Sequence, residues 1–365
     1  MDYEVIIVGA SFAGLAVAAQ LLGKHVLLLD RKPIGEGQTS ACGTPVSTLR
    51  ALGLEDAILQ IHDRLVVHTP DRSFAYPMVE PFCTFDYRLL CRLLYEQGDA
   101  RFLQASALGT EGGRVHTSRG SFDGAMIVDA SGWRAALGSQ LYPDLVRRER
   151  LSFGLETTAP CCGDGLHFWY DPRELLPFGI TWAFPAGELS RLGVASFRGE
   201  THLMGALKRF LGNEGLRHKG LNGGYLPHAM RDPTAGELFL VGDAAGQCLA
   251  LTGEGIRPAL FFGTHLGCLL RQVLDGDISP DEARTSYRRL VALRKLGYDL
   301  LCLAQRALPL LPLSLVDVLF AILSRPAVLR RLLARYLAAF CLADAQIAPP
   351  RQGTTHPATI SKVSA

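Results

Sequence analysis

The chain lacks several features that would assign it to common protein classes. Its 365 residues contain no uninterrupted apolar run of about 20 residues, so no membrane-spanning helix is predicted. Asp2 and Glu4 stand where a secretory signal has basic residues, which excludes a signal peptide. The net charge is only +2, without a block of like charge, and nucleic acid is therefore not a predicted partner.

Metal-binding and disulfide patterns are also missing. The nine cysteines include no Cys-x-x-Cys pair and no metal-ligand spacing, and the adjacent Cys161 and Cys162 are the only neighbours. A scattered, odd set of thiols is typical of a reduced cytoplasmic protein, so we predict no metal and a cytoplasmic location. The length is sufficient for two domains or one elaborated domain.

A glycine-rich turn is present near the N-terminus. Residues 5–8 form an apolar run typical of a buried parallel strand, and residues 12–22 have helical periodicity. Gly9 permits a tight turn between them, and the N-terminus of the helix would face a diphosphate. Asp30 follows Gly9 by 21 positions, close to the roughly 20 expected before a ribose-binding carboxylate. This pattern predicts a nucleotide site, although Ser11 replaces the second glycine of the usual fingerprint. The candidate residues are Gly9, Ser11, Phe12, Ala13, Gly14, Asp30 and Arg31.

A second strand with an acidic end follows more than 200 residues later. Residues 238–241 are apolar and precede Asp243, and Glu254 lies where a helix is predicted to begin and run to about residue 274. Since open α/β sheets bind ligands at the carboxyl ends of their strands, we expect Asp243 to bind ribitol hydroxyls. The N-terminus of the helix would stabilise negative charge on a reduced flavin. The two segments together predict FAD. The candidate residues of the second segment are Gly242, Asp243, Gly246, Gly253, Gly255 and Ile256.

These segments resemble those of flavoproteins of the geranylgeranyl reductase family, within a larger group that includes aromatic hydroxylases and flavin-dependent halogenases. Residues 181–185, Thr-Trp-Ala-Phe-Pro, followed by Gly193, are similar to the family's Tyr-x-Trp-x-Phe-Pro…Gly-x-Gly motif, and Cys42-Gly43 is similar to its Cys-Gly pair beside the flavin. The resemblance spans residues 5–256. It implies an FAD-dependent oxidoreductase with Cys42 and Trp182 as catalytic candidates. Cys42, Gly43 and Arg88 are further candidates for cofactor binding.

Several positions depart from the family pattern. Ile180 stands where the family has Tyr, Ala195 replaces the last glycine of the substrate motif, and Ala250 replaces a proline. Ser131 stands where the related hydroxylases carry an Asp tied to cofactor binding, which counts against a nicotinamide-dependent hydroxylase. These differences concern the substrate more than the cofactor.

The resemblance implies an α/β fold. We expect a Rossmann-like FAD-binding domain of the glutathione reductase and p-hydroxybenzoate hydroxylase type, an antiparallel β-sheet substrate domain and a C-terminal helical region. The FAD-binding domain is predicted to be discontinuous, comprising residues 1–62, 86–145 and 228–275. The substrate domain would comprise residues 63–85 and 146–227, and the helical region residues 276–348, before a disordered tail, 349–365.

Alternating apolar runs predict that the substrate domain presents aromatic side chains to a hydrophobic pocket, or else that they fill the core of its sheet. The pocket candidates are Phe168, Tyr170, Ile180, Trp182 and Phe184.

The last third of the sequence has helical periodicity. Residues 280–308 are predicted to form one helix, and residues 313–323 and 326–342 two more, with apolar faces flanked by arginines such as Arg325, Arg331 and Arg335. An apolar helix face flanked by cations is typical of a helix at a membrane surface, but also of a cap packed on a sheet. Peripheral membrane contact and a helical cap therefore stay open as alternatives.

The resemblance implies reduction of carbon–carbon double bonds in a prenyl-type or other hydrophobic lipid, a step of isoprenoid lipid biosynthesis, with hydride from reduced flavin N5. Cys42 is a candidate proton donor or positioning group, since a thiol with a pKa of about 8.5 is a weak acid for an alkene. No second glycine fingerprint is present, so electrons would come from transiently bound NAD(P)H or from a carrier such as reduced ferredoxin. The alternatives are an FAD-dependent monooxygenase or halogenase, a redox-neutral FAD-dependent cyclase, and a non-catalytic flavin-binding protein.

Overall fold

The computed structural model describes residues 2–160, 163–217 and 219–342. The described strands are β1 (Tyr3–Val8), β2 (Val26–Asp30), β3 (Gly43–Pro45), β4 (Ile58–His68), β5 (Ser73–Phe85), β6 (Arg101–Gln104), β7 (Ala107–Glu111), β8 (Arg114–Thr117), β9 (Gly120–Asp129), β10 (Leu151–Ala159), β11 (Leu166–Trp169), β12 (Gly179–Ala186), β13 (Leu189–Ser196), β14 (Lys219–Pro227), β15 (Thr234–Ala235) and β16 (Leu238–Leu240). The described α-helices are α1 (Phe12–Ala19), α2 (Val46–Ala51), α3 (Tyr87–Glu96), α4 (Gly138–Leu141), α5 (Met204–Asn213), α6 (Ile256–Asp275), α7 (Pro280–Ala292), α8 (Lys295–Ala307), α9 (Leu313–Leu323) and α10 (Pro326–Ala338). The predicted tail, residues 349–365, and the adjacent cysteines at 161 and 162 lie outside the described residues.

A parallel sheet contains the first glycine turn. Its strands are ordered β16-β9-β1-β2-β6, with β15 added antiparallel at one edge and a β7–β8 hairpin attached to β9. Strand β1 lies between β2, which follows it in the chain, and β9, which comes much later. The gap between β1 and β9 is therefore the point at which the strand order reverses, where doubly wound sheets bind their ligands.

Two helices pack closely on one face of this sheet because small residues line their contact. A Cβ added to Gly263 of α6 would lie 2.6 Å from the carbonyl oxygen of Ala13, and one added to Gly267 would lie 2.7 Å from that of Val17. The buried residues of α1 and α6 share one core with the sheet residues Val5 and Leu28. The sequence prediction of a Rossmann-like α/β domain is confirmed by this arrangement.

A second eight-stranded sheet follows the order β14-β10-β13-β12-β11-β4-β5-β3. Its neighbouring strands are antiparallel except for β4 and β11, which pair in parallel, so the predicted antiparallel sheet is confirmed with one exception. Helix α5 covers one face of this sheet in a core that includes Leu192, Val194 and Phe210. The sheet also takes in β3 (Gly43–Pro45), which the predicted boundary assigned to the FAD-binding domain. The division into domains stays a prediction.

The C-terminal region differs from the sequence prediction in two places. Helix α10 ends at Ala338, before the predicted end at residue 342. Residues 280–308 form two helices, α7 and α8, rather than one. The chain turns at Arg294, whose guanidinium donates to the carbonyls of Leu290 and Ala339 and lies 4.3 Å from the ring centroid of Phe261. These contacts hold the side chain against α6 and the end of α10, and the helix is interrupted there. Among the described helices, none combines the length and hydrophobicity needed to cross a bilayer.

Candidate active site

The two glycine-rich segments, far apart in sequence, meet in the structure. A Cβ added to Gly242 would lie 2.8 Å from the Cβ of Ala13, which places the second segment against the first helix. A Cβ added to Gly255 would lie 3.6 Å from Oδ1 of Asp243, so the two halves of the second segment are also adjacent. The carboxyl end of β16 and the beginnings of α1 and α6 therefore surround one region.

The turn after β1 requires a glycine. Gly9 has φ of +112°, and a Cβ there would lie 2.2 Å from the carbonyl oxygen of Ala130, directly after β9. The next glycine, Gly14, approaches the turn equally closely, since its Cβ would lie 1.9 Å from the Gly9 carbonyl oxygen. The backbone of β1, β9 and α1 is thereby drawn together at the reversal point of the sheet.

Asp30 organises the same turn. One carboxylate oxygen accepts a 2.8 Å hydrogen bond from the backbone N–H of Ala10, and the other accepts one of 2.9 Å from that of Lys32. Ser11 is the N-terminal flanking residue of α1, and its hydroxyl lies 3.2 Å from the Tyr87 hydroxyl. The side chain that replaces the second glycine is thus occupied by a contact with α3. Phe12 lies beside it and packs edge-on against Tyr87.

A half-buried carboxyl lies at the end of β16. Burial raises the pKa of Asp243 to about 6, and the positive charge of Arg231 opposes that rise. Arg231 donates to the backbone carbonyls of Asp243, Ala244 and Trp133. The carboxylate of Asp30, the carboxyl of Asp243 and the free N–H groups that begin α1 form a donor and acceptor set that fits the ribose, ribitol and diphosphate of FAD.

The Glu254 side chain is anchored in the protein. Arg257 donates to both of its oxygens, at 2.7 and 2.8 Å, and the hydroxyl of Tyr336 donates to Oε2. The guanidinium also donates to the Tyr336 and Leu337 carbonyls of α10. Gly253, with φ of +63°, is exposed beside this cluster. The Gly-Glu-Gly segment is therefore fastened to the C-terminal helices.

Cys42 is fully buried and has a left-handed backbone, with φ of 54°. Such a conformation is uncommon for a residue with a Cβ and clusters at functional sites. Its N–H donates to the Ser40 hydroxyl and its carbonyl accepts from Phe85 N–H. Burial raises the pKa of the thiol to about 12, so Cys42 is a neutral thiol.

The loop that carries Cys42 contacts the aromatic face of the second sheet. A Cβ added to Gly43 would lie 3.3 Å from the Phe184 ring, and Phe184 packs edge-on against Phe168 at 5.2 Å between centroids. Trp182 lies beside Phe168 in the strand register, and Ile180 shares its face of β12. Four of the five pocket candidates thus share one face, which lies against the Cys42 loop at Phe184.

Three predicted residues occupy other surroundings. Arg31 is exposed, and Arg88 is exposed in an ion pair with Glu36 at 3.1 Å. Tyr170 is buried, and its hydroxyl donates to the carbonyl of Leu308, which fastens the sheet to the helical region. Among the described residues, no hydrogen bond or ion pair joins these three side chains to the glycine segments, and their assigned roles stay predictions.

Sequence reasoning missed three polar residues around this site, of which Glu156 and Arg191 are buried and Arg231 is partly exposed. They are Glu156 on β10, Arg191 on β13 and Arg231 before β15. A charged residue at an inward position of an alternating strand was the available signal for the first two. Which other side chains they would meet depended on the register of the strands, which the sequence does not fix.

The relatives of the chain agree with the motifs. No family model matches it. Digeranylgeranylglycerophospholipid reductase 2 of Methanopyrus kandleri is 28% identical over 317 residues, which cover 76% of this chain and 79% of the relative. The resemblance to geranylgeranyl reductases is confirmed. The protein of the same name from Methanothermobacter thermautotrophicus is also 28% identical, over 71% of this chain and 75% of its own length.

Solved structures agree with the fold of this geranylgeranyl reductase-like chain. A geranylgeranyl bacteriochlorophyll reductase-like protein from Thermoplasma acidophilum superposes with a TM-score of 0.80 at 20% identity, covering 94% of this chain and 96% of that one. A probable FAD-dependent monooxygenase from Pseudomonas aeruginosa superposes with a TM-score of 0.62 at 17% identity, covering 84% of this chain and 95% of that one. The predicted fold class is confirmed, and the fold alone is common to reductases and oxygen-using enzymes.

Proposed function

We propose that the chain is an FAD-dependent oxidoreductase that reduces carbon–carbon double bonds of a prenyl-type lipid. The observation that carries the proposal is the contact of the Cys42–Gly43 loop with the aromatic face of the second sheet, next to two converging glycine segments. Relatives named digeranylgeranylglycerophospholipid reductase support the choice of substrate class.

The chain's own groups fit the parts of FAD. The N-terminus of α1 and the Gly9 turn would hold the diphosphate, and Asp30 would accept hydrogen bonds from the ribose hydroxyls. Asp243 would bind the ribitol chain, and the beginning of α6 would favour negative charge nearby. When bound and reduced, FAD supplies a hydride at N5.

The substrate side would be formed by apolar surfaces that exclude water. Phe168, Trp182 and Phe184 present rings suited to an isoprenoid chain, which offers no hydrogen-bonding groups. Cys42, as a neutral thiol in a left-handed backbone, would position the loop and shape the pocket rather than donate a proton.

The electron source is proposed to be NAD(P)H bound transiently or a carrier protein such as reduced ferredoxin. The absence of a second glycine fingerprint supports transient delivery. Stopped-flow mixing of the oxidised protein with each reductant, without substrate, distinguishes the two sources by the rate of flavin bleaching.

We further propose that α8 and the residues flanking it contact a membrane surface. Leu293, Leu296, Leu300, Leu303 and Leu310 are each more than half exposed. On its other face, α8 is fastened to the protein, since Tyr298 donates to the Gln247 carbonyl and Gln305 to that of Ala250. Residues 294–342 contain seven Arg or Lys and two Asp, a balance that suits an anionic lipid surface.

Sedimentation with phosphatidylglycerol vesicles tests this contact. We expect binding of the wild-type protein to weaken when Leu296 and Leu300 are both changed to Gln, and to be unaffected by Leu108→Gln at an exposed leucine on β7. If the double variant instead dissociates a dimer and leaves vesicle binding unchanged, the leucines form a subunit interface.

An anaerobic assay tests the proposed reaction. The flavin of the purified protein is reduced with dithionite, a geranylgeranyl lipid is added, and the product mass is followed. We expect flavin reoxidation with gains of two mass units per reduced bond. Reoxidation that requires air, without any mass gain of this kind, would contradict the proposal and favour an oxygen-using enzyme. That second candidate is supported by the superposition on the Pseudomonas aeruginosa protein.

A further inference from the structure

A buried carboxyl lies on the aromatic face of the second sheet. Glu156 of β10 pairs with Gly193 of β13, which in turn pairs with Trp182 of β12. Residues opposite each other in register share a face, so Glu156 and Trp182 lie on the same side of the sheet, two strands apart. The Glu156 residue is only 4% exposed.

Trp182 reaches this carboxyl across the strand between them. A Cβ on Gly193 would lie 2.1 Å from the indole, so the ring lies directly on the glycine backbone. Its Nε1 donates a 3.1 Å hydrogen bond to Oε2 of Glu156. The motif tryptophan is therefore oriented toward a carboxyl that the motif does not include.

The charge that acts on Glu156 comes from the neighbouring strand β13. Arg191 of β13 is 7% exposed, and its guanidinium donates to the carbonyls of Ala41 and Phe85, at 2.9 Å each. Ala41 precedes Cys42, and the Phe85 N–H donates to the Cys42 carbonyl. The charges of Arg191 and Glu156 both act on the pKa of Cys42, which places the carboxyl and the loop in one electrostatic environment. On β14 the residue opposite Glu156 is the uncharged Asn222.

This carboxyl is suited to hold a proton near neutral pH. Burial raises the pKa of Glu156 to about 7, while Arg191 and the Trp182 hydrogen bond oppose the rise. A general acid is most effective when its pKa is close to the working pH. The Cys42 thiol, with its pKa raised to about 12, is much the weaker acid.

Building on the proposed function, we infer that Glu156 supplies the proton for double-bond reduction and that Trp182 orients it. In that step the π bond of the substrate breaks and two C–H bonds form. One carbon takes the hydride with its electron pair, and the other takes the Glu156 proton. The resulting carboxylate regains a proton from water.

Infrared difference spectroscopy of the flavin-loaded protein tests the first half of this inference. We expect the difference between the spectra of the wild type and Glu156→Gln to contain the carbonyl stretch of a protonated carboxylic acid, and this band should disappear as the pH rises through about 7. Asp243, whose pKa burial raises to about 6, contributes to both spectra and cancels in the difference. Glu188→Gln, at an exposed position in the turn between β12 and β13, is the matched control and should retain the band. A band that is absent in acid as well as in alkaline solution would overturn the inference.

Single-turnover rates test the second half. Glu156→Gln should slow reduction of a geranylgeranyl lipid by the prereduced protein by about 100-fold or more, since a general acid contributes about 10²–10⁴. Trp182→Phe removes the hydrogen bond that lowers the pKa of Glu156, so the loss of rate in alkaline solution should move to higher pH. A purely structural role would leave that pH profile in place.

The outcomes separate the two proposals. Reduction by Glu156→Gln at the wild-type rate would overturn the proton-donor role while leaving the reductase intact. No lipid reduction by the wild-type protein, together with a titrating Glu156 band, would contradict the reductase and with it the donor role, although Glu156 would still hold its proton.

Discussion

The flavin-binding region is formed mainly by close backbone contacts, whereas the aromatic sheet face is formed by contacts between side chains. At the flavin side, glycines allow backbone segments to touch, as at Gly9 against Ala130 and Gly14 against the Gly9 carbonyl. At the substrate side, the contacts join side chains across strands, as in Trp182 to Glu156. A site made of backbone depends on a few positions without a Cβ, whereas a site made of side chains depends on the register of a whole sheet.

The first prediction breaks the backbone site. Gly9→Ala should cost about 4 kcal/mol or more of unfolding free energy, because the Cβ would lie 2.2 Å from the Ala130 carbonyl oxygen at a φ of +112°. Gly23→Ala is the control, since Gly23 also has a positive φ of +81° but no atom within 4 Å of an added Cβ. It should cost only about 1–2 kcal/mol, the cost of a left-handed backbone for a residue with a Cβ. Equal losses in denaturant unfolding would contradict the close approach.

The second prediction concerns the side-chain site and pH. Burial raises the pKa of Glu156 from 4.5 to about 7. The unfolded chain therefore releases the proton near 4.5 and the folded chain near 7, so stability falls as the pH rises through this window. At about 1.4 kcal/mol per pH unit, the loss is about 3 kcal/mol. Glu156→Gln should abolish this loss.

The unfolding free energies of the wild type and Glu156→Gln, compared below and above that window, give the measurement. The variant should gain on the wild type as the pH rises, whereas Glu188→Gln should follow the wild type throughout. A difference between Glu156→Gln and the wild type that stays constant with pH would show that Glu156 is already ionised in the folded protein.

A third prediction returns to the flavin side. Asp30→Ala removes the acceptor of the Ala10 and Lys32 N–H groups and should raise the dissociation constant of FAD by about 10- to 100-fold, equivalent to about 1–3 kcal/mol. Asp99→Ala also removes a carboxylate that accepts from a backbone N–H, that of Gly23, but at an exposed position. Flavin titration should find it unchanged, and equal retention in both variants would sink the assignment of Asp30.

The contrast also explains how much the sequence could predict. The elements of the glycine segments were expected because the signals are local: residues 5–8 do lie in strand β1, and the helix after the Gly9 turn does begin at Phe12. The meeting of the two segments followed from the rule that ligand sites form at the carboxyl ends of parallel strands. No local sequence signal could place Glu156 beside Trp182, because each of them pairs with Gly193 on the strand between them.

The C-terminal helices mark a different limit. Periodicity predicted α9 at residues 313–323, as the structure has it, but not the turn at Arg294. At that turn the Arg294 side chain contacts the carbonyls of Leu290 and Ala339 and the Phe261 ring, and two of these partners are remote in sequence. The exposure of the α8 leucines could not be predicted either, since a leucine stripe in the sequence does not show whether a neighbouring element covers it.

The last prediction sharpens the comparison most, because it tests a glycine contact at the side-chain site. Gly193→Ala would set a Cβ 2.1 Å from the Trp182 indole, whereas Gly154→Ala would set one at an ordinary 3.6 Å from the same ring. The first should displace the ring, break the hydrogen bond to Glu156 and cost about 1–3 kcal/mol, while the second should cost little. Unfolding free energy and tryptophan fluorescence measure both. If the two variants behave alike, the indole does not lie on Gly193, and the path from the motif tryptophan to the buried carboxyl must be abandoned.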